Sequence, residues 1–200
     1  MITDLQHLRD VYGEPSQRVL DKELDHLDRH CLRFLELSPF CFVATSDGTT
    51  VDVSPKGDQP GFAQADGSAA VMLPDWPGNK RLDGYRNVLK NPHVGLIFLI
   101  PGLRETLRVN GPATIHEEPE ILAKFEHRGR LPITVMRVEA REVYLHCAKA
   151  FLRSGLWDAS TWPAKEDLPK PGEMFKDHLK LDGPAASDEE IHGALAKTLY

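Results

Sequence analysis

No run of apolar residues in this chain approaches the roughly 20 needed to cross a bilayer as a helix. The first residues, Met1-Ile2-Thr3-Asp4, also lack the basic region and apolar core of a secretory leader. A cytoplasmic location is the expectation. Cysteine is scarce: Cys31, Cys41 and Cys147 are odd in number, far apart and set among apolar or aromatic neighbours, which argues against a disulfide framework and suits reduced, half-buried thiols. Cationic excess is missing too. The 24 Lys and Arg stand against 30 Asp and Glu, a formal charge of -6, so neither nucleic acid nor an anionic membrane is expected as the main partner. Any basic cluster must then be a small local site.

The common signature motifs are absent as well. No G-x-G-x-x-G follows a strand, Gly78-Asn79-Lys80-Arg81 has neither the spacing nor the Ser/Thr of a P-loop, and there is no G-x-S-x-G elbow or paired-cysteine motif. A Rossmann dehydrogenase and a P-loop ATPase are thereby disfavoured. His26 and His30 are four apart, yet no Glu adjoins the first and no third ligand is recognisable, so they read as solvated helix-face histidines and no metal is expected.

What is present is an ordinary core-forming composition, 41% hydrophobic and 27% charged over 200 residues, enough for one domain. Thr3-Asp4-Leu5-Gln6 is a capping-box pattern for a short helix closed by Gly13 and Pro15. Leu20, Leu24, Leu27, Cys31 and Phe34 form an apolar stripe that predicts one helix from about Ser16 to Leu37. After Pro39 the period falls to two. Phe40 to Ser46 and Thr49 to Ser54 read as a hairpin about Asp47-Gly48; Phe62 to Ala65 and Ser68 to Leu73 read as a second about Asp66-Gly67. A helix from Asn79 to Lys90 is stopped by Asn91-Pro92. Val94 to Ile100 reads as a strand covered on both faces, and Thr106 to Gly111 as a strand with a bulge at the glycine. A short helix near Pro119 to Glu126 precedes one last long strand, Ile133 to Leu145, and a helical segment ending at Gly155. Pro163, Pro169, Pro171 and Pro184 then mark an extended segment, and Ser187 to Glu190 is a capping box for a terminal helix.

This order describes a mainly β, α+β chain: an antiparallel barrel of about six to seven strands with helices packed outside. The single domain divides into N-terminal helices (1–37), the barrel (38–157) and a C-terminal segment with a helix (158–200).

Two stretches carry candidate chemistry. In Pro77-Gly78-Asn79-Lys80-Arg81-Leu82, the glycine permits a tight turn, Asn79 is a favoured N-cap, and two cations fall at the positive end of a new helix. Cations are unfavourable there for the helix alone, so a phosphate is one reading and solvated surface charge the other. Ser54-Pro55-Lys56-Gly57-Asp58 sets a hydroxyl and a cation at a strand end, as a ligand contact or as a plain surface turn. Trp76, Tyr85 and Trp157 either stack on a ligand or pack at a core edge or interface.

The order Ser38-Pro39-Phe40, Val53-Ser54-Pro55-Lys56-Gly57-Asp58, Leu73-Pro74-Asp75, Gly78-Asn79-Lys80-Arg81-Leu82-Asp83, Asn91-Pro92, Leu107-Arg108-Val109-Asn110-Gly111 and His146-Cys147 resembles the pyridoxamine 5′-phosphate oxidase family over about Ser38 to Trp157. The resemblance implies an FMN-binding split barrel that works as a homodimer with the cofactor between the chains, acting on a small molecule. Asn79, Lys80 and Arg81, with Leu82 beside them, would hold the FMN phosphate. Ser54 and Lys56 would lie along the ribityl chain and pyrimidine edge, with backbone groups near Met72 and Leu73 beside the ring. Thr106 stands where better-known members carry a Gln, so that contact passes to Thr106 or to Arg108. Arg153, Ser154 and Trp157 would cover the cofactor from the second chain. No general base is identified, since hydride transfer need not have one. A vitamin substrate is not implied, because the C-terminal Arg and His motif for it is not recognisable. The alternatives are a carrier or sensor of FMN without turnover, or a deazaflavin- or haem-using relative on the same barrel.

Overall fold

The computed structural model describes residues 1–199, in two compact units: residues 1–153, and a smaller one from Ser154 onward. The first unit is built on eight antiparallel strands. Strands β1 (Phe40–Ser46) and β2 (Val51–Gly57) form the first hairpin, in register from Phe40 opposite Gly57 to Ser46 opposite Val51. Its turn is tied by Asp47 Oδ1, which accepts from the Thr49 and Thr50 N–H groups at 3.0 and 2.8 Å. Strands β3 (Gln64–Asp66) and β4 (Ala70–Asp75) form the second hairpin. They are followed by β5 (His93–Leu99), β6 (Thr106–His116), β7 (Thr134–Glu139) and β8 (Glu142–His146).

The spatial order is β2-β1-β5-β6-β7-β4-β3, with β8 also paired to β6. The count exceeds the six to seven expected, because the long last strand is in fact two. Ala140 and Arg141 turn the chain between them: β7 lies beside β4 and the second half of β6, and β8 beside the first half. The end strands β2 and β3 are not bonded to one another, so the hydrogen-bonded sheet is not closed. Gly111 sits where β6 changes partner from β8 to β7. A Cβ there would overlap the Glu139 carbonyl oxygen, so this glycine serves a close backbone approach within a continuous strand rather than the expected bulge.

Inward residues of the strands build the core, among them Cys41, Val71, Leu73, Leu96, Phe98, Leu107, Val109, Val138 and Val143. Strand β5 alternates: Leu96 and Phe98 are fully buried while Ile97 is 37% exposed, so it is covered on one face and not on two. On the outward face Ile97 stands opposite Phe42, itself 38% exposed.

The N-terminal helices differ from the sequence expectation. Asp4, not Thr3, caps α1 (Leu5–Tyr12), accepting from His7 N–H at 2.9 Å. The single helix expected from Ser16 to Leu37 is two, α2 (Gln17–Leu20) and α3 (Arg29–Leu37). Between them Leu24 exchanges two backbone hydrogen bonds with Val143, each 2.8 Å, and Asp28 restarts a helix by accepting from His30 and Cys31 N–H groups. The apolar stripe still works, since Leu27, Cys31 and Phe34 all enter the core. Helix α4 (Asp83–Lys90) is pinned by a buried pair, Asn87 Nδ2 donating to Thr45 Oγ1 of β1 at 3.1 Å. Helices α5 (Pro119–Leu122) and α6 (Lys149–Ser154) are short.

The smaller unit holds α7 (Pro171–Leu179) and α8 (Asp188–Ala196), the latter opened by the expected Ser187/Glu190 capping box. Helix α7 was not expected, because Pro171 read as a breaker and instead occupies the first turn, where a missing N–H costs nothing.

Cys31 and Cys41 are buried and Cys147 is exposed, which corrects the expectation of three half-buried thiols. Burial pushes the Cys31 thiol up to about 11 and the Cys41 thiol up to about 12. A disulfide reagent such as DTNB at pH 8 should therefore modify one thiol per chain quickly and the other two only on unfolding. Three equally fast thiols in the native protein would contradict this burial pattern.

Candidate functional site

Strand β2 alternates, so Asp52, Ser54 and Lys56 point to its half-buried side while Val51 and Val53 face out. Those three side chains form one wall of a pocket of about 530 Å³. The other walls are the end of β4 at Asp75, Trp76, the loop from Gly78 to Leu82, the first turn of α4 through Tyr85, and the apolar residues Val43, Ile133 and Met136.

The polar groups are ordered. Ser54 Oγ donates to Asp52 Oδ2 at 2.7 Å. Lys56 Nζ makes an ion pair with Asp75 and lies 5.9 Å from the centre of the Tyr85 ring. Thr134 Oγ1 donates to the Tyr85 hydroxyl at 3.3 Å. Burial first, and the Asp75 charge second, push the Tyr85 phenol well above its ordinary range, so it stays protonated.

The loop differs from expectation in one respect. Helix α4 begins at Asp83, not at Asn79, because the Asn79 side chain accepts from Arg81 N–H at 3.0 Å and closes a turn two residues on. Lys80 and Leu82 flank Arg81 with left-handed φ of 61 and 58°. Leu82 takes the N-cap position and makes no side-chain cap bond, so among the described residues the first-turn N–H groups of α4 have no capping side chain. Lys80 and Arg81 therefore stand just before the helix rather than in its first turn. Arg81 Nε donates to Asp83 Oδ2 at 2.8 Å.

Of the residues singled out from sequence, the pocket brings together Ser54, Lys56, Asn79, Lys80, Arg81 and Leu82. Met72 and Leu73 do not line it. Leu73 lies in the main core, and Met72 packs with Phe125 and Val135 in a second, smaller cluster. Thr106 and Arg108 do not line it either: Arg108 lies opposite Ile97 on one side and Tyr144 on the other, on the outward face of the sheet. There its guanidinium is 5.2 Å from the Tyr144 ring centre, as is Lys22 Nζ, and its Nε is buried with no hydrogen-bond partner among the described residues. Arg153 is exposed near the end of α6, and Ser154 and Trp157 belong to the smaller unit. Asp52, Asp75 and Asp83 are lining residues that sequence reasoning missed. Asp52 was readable, since Asp52, Ser54 and Lys56 alternate along one strand and must share a face.

No curated protein matches the chain. Among solved structures, HupZ of Group A Streptococcus is similar at 15% identity, over 59% of this chain and 92% of that one, with a TM-score of 0.47. A candidate pyridoxamine 5′-phosphate oxidase of Lactobacillus delbrueckii is similar at 17% identity, over 62% and 98%, with a TM-score of 0.49. The FAD binding protein of Mycobacterium smegmatis is similar at 16% identity, over 60% and 95%, with a TM-score of 0.42. The decisive match is at the level of family: the sequence profile described as pyridoxamine 5′-phosphate oxidase matches residues 27–147, which contain every residue that lines the pocket. The chain belongs to the pyridoxamine 5′-phosphate oxidase family.

Proposed function

We propose that this protein binds FMN in the pocket between β2, β4 and α4 and acts in the cytoplasm as a homodimeric, FMN-dependent oxidoreductase on a small molecule. The observation that carries the reading is the pairing, in one pocket, of a helix N-terminus with no side-chain cap and two adjacent cations at one end, and of Val43, Trp76, Tyr85, Ile133 and Met136 around the rest. The first suits a phosphate and the second a large planar ring. When bound, the flavin supplies hydride transfer; the protein supplies binding, orientation and charge. Lys80 and Arg81 hold the phosphate with the first-turn amides of α4. Lys56 brings a cation to the flavin, fixed in direction by Asp75 and Tyr85. Phe42 and Ile97 give a second copy an apolar face to cover.

A second reading, a flavin carrier or sensor, has its own observation. Asp52, Asp75 and Asp83 stand in the same pocket as Lys56, Lys80 and Arg81 and offset their charge, which loosens the hold on an anion and favours release.

Titration of FMN against the apo-protein, read by flavin fluorescence, should saturate at about one per chain. Stopped-flow mixing of the complex with NADH or NADPH, and then with oxygen, quinones or nitro compounds, separates the two readings. An enzyme reduces and reoxidises its bound flavin before it leaves; flavin that dissociates first and meets every reagent unchanged marks a carrier. No saturable binding of FMN would sink both.

A further inference from the structure

Next to the phosphate end of the pocket is a second hollow of about 300 Å³, between the β1–β2 turn and the side of α4. The two share Asp52, Arg81 and Asp83, so they adjoin at the point assigned above to the phosphate. Two further cations enter the hollow from α4, Arg86 and Lys90, one turn apart. Lys90 Nζ is 3.2 Å from Asp47 Oδ2, but the Arg86 side chain has no hydrogen bond or ion pair among the described residues.

The mixture of charges decides the ligand class. Three carboxylates stand there with three cations, so the hollow offers hydrogen-bond acceptors as well as positive charge. Asp47 is already spent on its own turn, accepting from Thr49 and Thr50 N–H groups. Asp52 and Asp83 are each engaged through Oδ2, and their Oδ1 atoms accept no hydrogen bond among the described residues. Carboxylate oxygens beside a cation suit a ribose, whose vicinal hydroxyls are donors, and a planar guanidinium suits the face of a base.

We propose that this hollow is a subsite for the adenosine half of FAD, entered through the phosphate position, so that the protein takes the dinucleotide flavin as well as FMN. The proposal rests on the flavin reading given above. The ribose meets Asp52 or Asp83, the adenine lies on Arg86, and the added phosphate shares the Lys80 and Arg81 end.

Calorimetric titration of FMN and FAD into the apo-protein and into Arg86→Ala and Arg86→Lys variants tests it. Expected are FAD binding at least as tight as FMN, about tenfold weaker FAD binding in Arg86→Ala, partial recovery in Arg86→Lys, and FMN binding that does not change in either. FAD that binds more than tenfold weaker than FMN overturns the proposal, because the hollow then excludes the adenosine. Equal losses for both flavins, or none for either, overturn it as well. If FMN itself fails to bind, the underlying flavin reading is what has failed, and the subsite falls with it.

Discussion

Alanine at Gly111 should severely destabilise the first unit. The added Cβ overlaps the Glu139 carbonyl oxygen, and that oxygen belongs to backbone at the end of β7, not to a side chain that can swing aside. Relief requires β6 and β7 to separate at the place where β6 exchanges one partner for another. It would also disturb the Arg141 N–H bond to the Asn110 carbonyl, 3.1 Å, which anchors the turn into β8. Overpacking in cores costs about 1–3 kcal/mol when side chains can adjust. With backbone on both sides we expect about 4 kcal/mol or more, a large part of the roughly 5–15 kcal/mol that holds a domain together. The measurement is recovery of soluble protein and its thermal transition. Gly193→Ala, in α8 with nothing within 4 Å of the added carbon, is the control and should be neutral or slightly stabilising. A Gly111→Ala protein that melts within a few degrees of the wild type would show that the approach of β7 is not close.

Arg81→Ala should weaken FMN by about tenfold or more while leaving riboflavin binding almost unchanged, since the two ligands differ only in the phosphate. A charge-assisted hydrogen bond is worth about 1.5–3 kcal/mol, and the lower figure applies because the Arg81 side chain is 75% exposed. Arg81 also has to leave Asp83, 2.8 Å away, to meet a phosphate. Removing that competitor by Asp83→Asn should therefore shift FMN affinity the opposite way, and by less, because Asp83 also sits favourably in the first turn of α4. Equal losses of FMN and riboflavin in Arg81→Ala would place Arg81 in support of the loop or the ring, not on the phosphate.

Period and turn chemistry made much of the fold legible. Hairpin β1–β2 follows from alternation about Asp47-Gly48, and Asn91-Pro92 stops α4 where the restriction before proline says it must. What was hidden depends on contacts distant in sequence. Nothing in Ala140-Arg141 marks a turn, and only the change of partner along β6 divides the last strand. The break between α2 and α3 exists because Leu24 pairs with Val143, far along the chain, where the local apolar stripe would have run on. At the candidate site the cations of the loop could be read directly. Of the carboxylates that oppose them, Asp83 is two residues from Arg81, while Asp52 and Asp75 come from other strands and meet the loop only in space. Arg108 could be placed on a strand, but which side of the sheet it faces was settled by the burial of Leu107 and Val109 on the other.

Strand β2 is both a wall of the pocket and an outermost strand of the sheet, with Val51 and Val53 exposed on its outer face. A free edge of this kind offers backbone donors and acceptors to any extended chain that meets it, and is a common start for aggregation. Pro55 lies within that strand and has no N–H to offer, and Lys56 follows it with a charge. Where a ligand needs one side of an edge strand open, the strand cannot be covered by another element, and a proline within it limits templating by chemistry instead of by shielding. Accessibility to a small molecule and resistance to polymerisation are thus reconciled in seven residues, Val51–Gly57.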